Sequence, residues 1–204
     1  QYRAIGIVRG TYKPHDNENF TRGLITDSNG LEIDSVVLGR VITLIRKHVS
    51  IAKPHLWVVY PRCRDQQNLH LQIAGIWEPS LLSNDFKEIK EKEDDGGDES
   101  TIIQNVVDEL EEGDDYFSIR GELIFTKPEE KEVFIKIRQR PRNESKKDSP
   151  FKIKLKGEIP INYVRHFISI NARRIEQHLL IEDFEVIEPM KSRSNYGKNT
   201  KKSK

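Results

Sequence analysis

Along "FKIKLKG", residues 151–157, the apolar Phe151, Ile153 and Leu155 alternate with Lys152, Lys154 and Lys156. Strict alternation marks a strand with one dry and one wet face. The same period-two pattern recurs through "YFSIRGELIFT", "EVFIKIRQR", "VRHFISINA" and "HLLIEDFEVIE". Residues 116–189 therefore predict five strands, with turns at Lys127–Lys131, Pro141–Ser149, Pro160–Tyr163 and Arg173–Gln177. The N-terminal half reads similarly. Strands are expected in "YRAIGIVRGTYK", "TRGLITD", "LEIDS", "HLWVVYP" and "LHLQIAGIWE". "VVLGRVITLIRKHV" predicts a helix with Val37, Val41, Leu44, Ile45 and His48 on one side. Asn29-Gly30 supplies the positive φ angles of a hairpin turn before Leu31.

Between the halves the pattern breaks. "KEIKEKEDDGGDES" has no apolar period and reads as a linker. "STIIQNVVDELEEG" then predicts a short helix over about 101–112. Ile103, Val106, Val107 and Leu110 fall on one face, Thr101 and Gln104 resemble a capping box, and Gly113 is a stop. So short a helix is marginal alone and should dock on a flanking domain or on a partner protein.

The halves echo one another. Tyr2 precedes Lys13-Pro14 by the same interval that separates Tyr116 from Lys127-Pro128, Ile5 and Ile119 match within that frame, and the halves close on Glu78-Pro79 and Glu188-Pro189. The expected organisation is a small β-barrel over residues 1–82, an acidic linker over 83–115, a second barrel over 116–189 and a basic tail over 190–204. Five strands with a helix between the third and fourth is the layout of the OB-fold, and the chain resembles tandem OB-fold nucleic-acid-binding proteins on that ground. In the second half only "INYVR" occupies the helix slot. An SH3-like barrel, or an α+β sheet for the first half, is the competing layout. "RAIGIVRG", "HLWVVYP" and "GIWEP" also resemble segments of an uncharacterised cyanobacterial protein family.

The resemblance implies a ligand face on the second and third strands of each barrel. In the second barrel that face would carry Phe134, Lys136, Arg138 and Arg140 beside Lys152, Lys154 and Lys156. Arg142, Lys146 and Lys147 stand in the intervening loop, and Arg120 on the polar side of the preceding strand. Cations neutralise phosphates, and an aromatic ring stacks a base. Like charges opposite one another across strands are destabilising, so a counter-charge is expected: a polyanion, or the acidic linker folded back. The plainer reading is a solvated sheet face on which lysine prevents aggregation. A second, weaker surface would use Tyr12, Arg22 and Arg62 of the first half. Trp57, Tyr60 and Trp77 stand in its last two strands, where lone tryptophans are more often core than platform.

Charge sharpens this picture. The net charge of +1 hides an acidic block within 83–115 and a tail, 190–204, whose only charges are positive. Such blocks usually mark interaction segments. Flexible basic arms raise affinity for phosphates without much sequence preference. Cys63 is the single cysteine, so no internal disulfide can form, which fits a cytoplasmic setting. No apolar run is long enough to span a membrane, and the opening residues lack the pattern of a secretory leader.

The six histidines show no metal-binding spacing, and there is no phosphate loop and no nucleophile elbow. Asp94-Asp95 and Asp114-Asp115 read as solvated linker charge rather than a metal-dependent nuclease site. Neither a cofactor, a metal nor an enzymatic activity is expected. The reading is non-catalytic binding of single-stranded RNA or DNA, RNA slightly favoured, electrostatic and modest in sequence preference. The alternative is an adaptor whose barrels dock on a larger nucleoprotein machine through the 101–112 helix.

Overall fold

The computed structural model describes residues 1–16, 18–64, 68–78, 111, 113–139 and 149–190. The first barrel comprises β1 (Arg3–Pro14), β2 (Arg22–Thr26), β3 (Glu32–Val37), helix α1 (Gly39–His48), β4 (His55–Arg64) and β5 (Asn68–Ile76). The second comprises β6 (Tyr116–Lys127), β7 (Glu132–Ile137), β8 (Phe151–Lys156), β9 (His166–Ile175) and β10 (His178–Pro189). β1 pairs antiparallel with both β2 and β4, and β3 runs parallel to β5, which closes the ring β1-β2-β3-β5-β4. The second ring, β6-β7-β8-β10-β9, closes the same way, with β8 parallel to β10 and β9 returning to β6. The two barrels are OB-folds in tandem. Closure hides the backbone groups that an open edge would expose.

Each barrel is filled by the dry face of its strands. Val8, Tyr12, Ile25, Ile33, Trp57 and Ile73 pack inside the first; Ile119, Leu123, Ile135, Ile153, Leu155 and Ile170 inside the second. Trp57 can be fully buried because its Nε1–H donates to the Gly10 carbonyl at 2.8 Å. Val41 and Ile45 bury the inner side of α1, but Leu44 stays exposed and Val37 ends β3 instead of starting the helix. A 3₁₀ turn, Ile161–Tyr163, stands in the helix slot of the second barrel. At the β2–β3 hairpin only Gly30 has a positive φ, +79°. Its N–H donates to the Asp27 carbonyl at 3.0 Å, and the Asp27 carboxylate accepts from Asn29 and Leu31, so Asn29 need not be left-handed.

The sequence echo is partly out of phase. Ile119 is buried while Ile5 is only half-buried, because a bulge between Leu123 and Phe125 inserts one residue in β6. The inward phase of β6 falls on Ile119, Gly121 and Leu123 before that bulge and on Thr126 after it, whereas β1 keeps one phase through Gly6, Val8, Gly10 and Tyr12.

β1 also joins the barrels. Thr11–Pro14 pair with β2 and Gly6–Gly10 with β4, while Arg3–Gly6 pair antiparallel with β6 of the second barrel. Gly6 is required at this crossing, since a Cβ there would lie 2.2 Å from the Phe117 ring. A polar clamp reinforces the joint. Arg174, almost wholly buried, donates to Asp27 at 2.8 Å and to Asp115 at 2.7 Å. Gln177 donates to the Glu32 carbonyl at 2.8 Å, and Arg9 donates to Asp114 at 2.6 Å. Asp114 and Asp115 are thus joint residues, not solvated linker charge; partly shielded positions beside arginines draw them into the fold. The expected helix over 101–112 lies, Glu111 apart, outside the described residues, as does the basic tail beyond Met190.

Candidate nucleic-acid interface

Register fixes the wet face of the second barrel. Across β7 and β8, Lys136 stands opposite Lys152, Phe134 opposite Lys154, and Glu132 opposite Lys156. Val133, Ile135, Ile153 and Leu155 are buried on the other side, so the alternation of both strands is realised.

The cations are not equally available. Glu132 accepts from Lys156 at 2.8 Å and from Lys154 at 3.3 Å. Those bonds, that from Lys156 foremost, hold the Glu132 carboxyl below its ordinary pKa despite burial. Glu122 of β6 lies 3.4 Å from Lys136 and 3.7 Å from Arg138. Two acids from the same barrel therefore supply counter-charge to this face; most of the acidic linker lies outside the described residues. Lys154 is further confined, its side chain only 14% exposed and its backbone N–H directed at Cys63 Sγ of β4, 3.5 Å away. Burial pushes the Cys63 thiol up, so it stays protonated at neutral pH. Lys152 is exposed and has no ion-pair partner among the described residues. The face thus offers Lys152 unpaired, Lys136 and Arg138 at longer range from one shared acid, Glu122, and Lys154 and Lys156 held more closely by Glu132.

An aromatic pair borders these cations. Phe134 packs at 43° against Phe125, ring centres 5.9 Å apart, and Phe125 is 50% exposed. The β6 bulge turns Phe125 outward, opposite Phe134. On the other flank, Arg120 of β6 stands directly opposite Arg3 of β1. The Arg120 Nε is buried without a hydrogen-bond partner among the described residues.

The amino-acid sequence places the chain. Residues 4–84 match the family described as PatR RNA-binding protein, N-terminal OB-fold domain, and residues 119–188 match the cyanobacterial OB-fold-like RNA-binding domain, C-terminal. The chain matches a cyanobacterial OB-fold RNA-binding family, one domain to each barrel. No curated protein and no solved structure matches it. Membership points to nucleic-acid binding, with RNA favoured over DNA, and to a binding protein rather than an enzyme.

Of the residues expected on a second, weaker surface, Tyr12 is buried, while Arg22 and Arg62 reach the surface at separate places. Tyr12 is core: its ring meets Trp57 edge-on, its hydroxyl donates to the Phe20 carbonyl at 2.9 Å, and burial pushes its pKa to about 12. It lies on the inward phase of β1, so no ligand can reach it. Arg22 is exposed at the start of β2, a strand that pairs only with β1 and β3. Arg62, on β4 of the first barrel, reaches across to the second. Its guanidinium lies 3.7 Å from the centre of the Phe151 ring at the start of β8. Burial lowers the Arg62 pKa, and nearby Tyr60 opposes that shift. Arg140, Arg142, Lys146 and Lys147 lie outside the described residues. Among the described residues no group of three histidine, cysteine or acidic side chains could hold a metal ion, and no helix is long and apolar enough to cross a membrane.

Residue-level reading missed Phe125, Tyr2, Tyr60 and Phe151. Phe125 becomes outward only through the bulge, which has no signature in the alternation. Phe151 follows the inward phase and packs against the core, and at the strand's end its ring also meets Arg62 of the first barrel.

Proposed function

We propose that the protein binds single-stranded RNA on the β6–β7–β8 face of its second barrel, without catalysing its cleavage. One observation carries the reading: Lys136 and Lys152 stand next to Phe134, itself packed on Phe125, on the outer face of an OB barrel, with Arg138 just beyond the end of β7. Cations alone would serve any polyanion. Exposed rings next to them favour a strand whose bases are unpaired, because base–aromatic stacking is worth about 1–3 kcal/mol per base. Sequence preference is modest, since phosphate contacts and stacking read no base edge.

The test is fluorescence anisotropy of the full chain with a labelled single-stranded RNA, the matching DNA and an RNA duplex, over a salt series. Single strands give a log–log slope of about −0.7 per neutralised phosphate. Replacing Lys136, Arg138 and Lys152 by alanine should flatten the slope by about 2 units. The single strand should bind more tightly than the duplex. Absence of single-strand binding at low salt overturns the reading and leaves a solvated face or a protein-docking role.

A further inference from the structure

The joint between the barrels encloses a cleft of about 720 Å³. That lies within the roughly 300–1,000 Å³ typical of ligand pockets. Tyr2, Arg3, Tyr60 and Arg62 line it from the first barrel, Arg138 and Phe151 from the second. No carboxylate is among its lining residues. Three guanidinium groups and three aromatic rings thus converge where β1 leaves one barrel for the other. A guanidinium of each barrel approaches a ring of the other across the joint. Arg62 covers the Phe151 ring at 3.7 Å, and Arg138 stands 5.9 Å from the Tyr2 ring.

We infer that this cleft receives one unpaired nucleotide of the bound strand, its base stacked among Tyr60, Arg62 and Phe151 and its phosphate held by Arg3 and Arg138. The inference rests on the single-strand reading above and adds to it: neither barrel owns the whole site. Arg138 belongs to both surfaces, since it lies on the β7 face and lines the cleft, so a strand crossing the β7–β8 face reaches the joint through it. Flat rings and guanidinium planes accept any base, and the convergent arginines explain why an anionic backbone belongs there. The polar clamp of Arg174, Asp27 and Asp115 holds the two walls at a fixed distance, so little ordering is needed when the strand arrives.

The test compares a single-stranded RNA with an abasic oligonucleotide of equal length and charge, using the full chain. Tyr60→Ala and Arg62→Lys should each weaken RNA binding about tenfold, within the range of one lost stacking contact. Neither should change binding of the abasic strand, since Arg62→Lys keeps the charge. Tyr60→Phe should restore the affinity that Tyr60→Ala loses; failure to do so overturns a stacking role. In parallel, 4-thiouridine crosslinking should recover peptides carrying Tyr60 or Phe151 as well as Phe134. The inference falls if both variants bind RNA like the parent and crosslinks stop at Phe134. If the Lys136, Arg138 and Lys152 substitutions still cut binding in that case, the face reading survives alone. A parent that binds no RNA removes both.

Discussion

The corresponding faces of the two barrels carry opposite chemistry on one topology. In the second barrel the second and third strands present Lys136 and Lys152 outward. In the first, the same two strands present Leu24, Glu32 and Asp34, with Asp34 paired to His70 at 3.0 Å. That first-barrel face also meets the partner barrel, where Gln177 donates to the Glu32 carbonyl. That face of the first barrel mixes Glu32 and Asp34 with a single cation, Arg22, and the barrel contributes arginines from β1 and β4 at the joint. The lesson is that a duplicated fold need not duplicate its site. One barrel keeps the usual face, and the other becomes a wall of the neighbouring cleft.

The largest effect should come from separating the barrels. Arg174→Ala leaves Asp27 and Asp115 buried without their counter-charge and should cost about 3–5 kcal/mol in denaturant unfolding. It should also lower RNA affinity if the walls must be held together; unchanged affinity would show that the second barrel binds alone. Next comes the asymmetry of the faces. The double substitution Lys136→Ala, Lys152→Ala should remove about 1.4 units of salt slope, whereas Arg22→Ala on the first barrel should leave the slope unchanged. Equal losses would break the comparison.

Aromatic platforms give a smaller contrast. Phe134→Ala should cost about 1–3 kcal/mol in RNA binding, while Trp77→Ala, at an exposed position of the first barrel, should cost nothing. Competition with an abasic strand would locate the loss in stacking. The smallest effect concerns the lysines held by Glu132. Glu132→Gln frees Lys154 and Lys156 and should steepen the salt slope by up to about 0.7 per lysine that engages a phosphate. Because the Glu132 carboxyl is held below its unfolded value, its ion pairs stabilise the protein above pH about 4.3 and cease to do so as the pH falls through the folded value. The stability advantage of the parent over Glu132→Gln should therefore be present at pH 7 and vanish in acid, as thermal melts over a pH series would read.

Much of the architecture is written in local pattern. Period-two alternation is a property of the strand itself, so β7 and β8, their lysines and their buried isoleucines could be read directly. The order of five strands with one helix led to the OB-fold for the same reason, as did the outward cations of the second barrel. What pattern cannot carry is which elements meet. Glu122 and Glu132 pair with Lys136, Arg138, Lys154 and Lys156 because register sets them beside the basic row. Phe125 turns outward because one inserted residue reverses the phase of β6. Tyr12 sits on the strand phase that faces the core. Arg62, Tyr60 and Phe151 form one cleft because the start of β1 pairs with β6 and draws β4 against β8, contacts between residues far apart in the chain. Local alternation thus determined the strands and the sign of their faces. Only strand register within the second barrel decided which charges remain free, and only the packing of one barrel on the other decided where a strand of RNA would find both cations and rings.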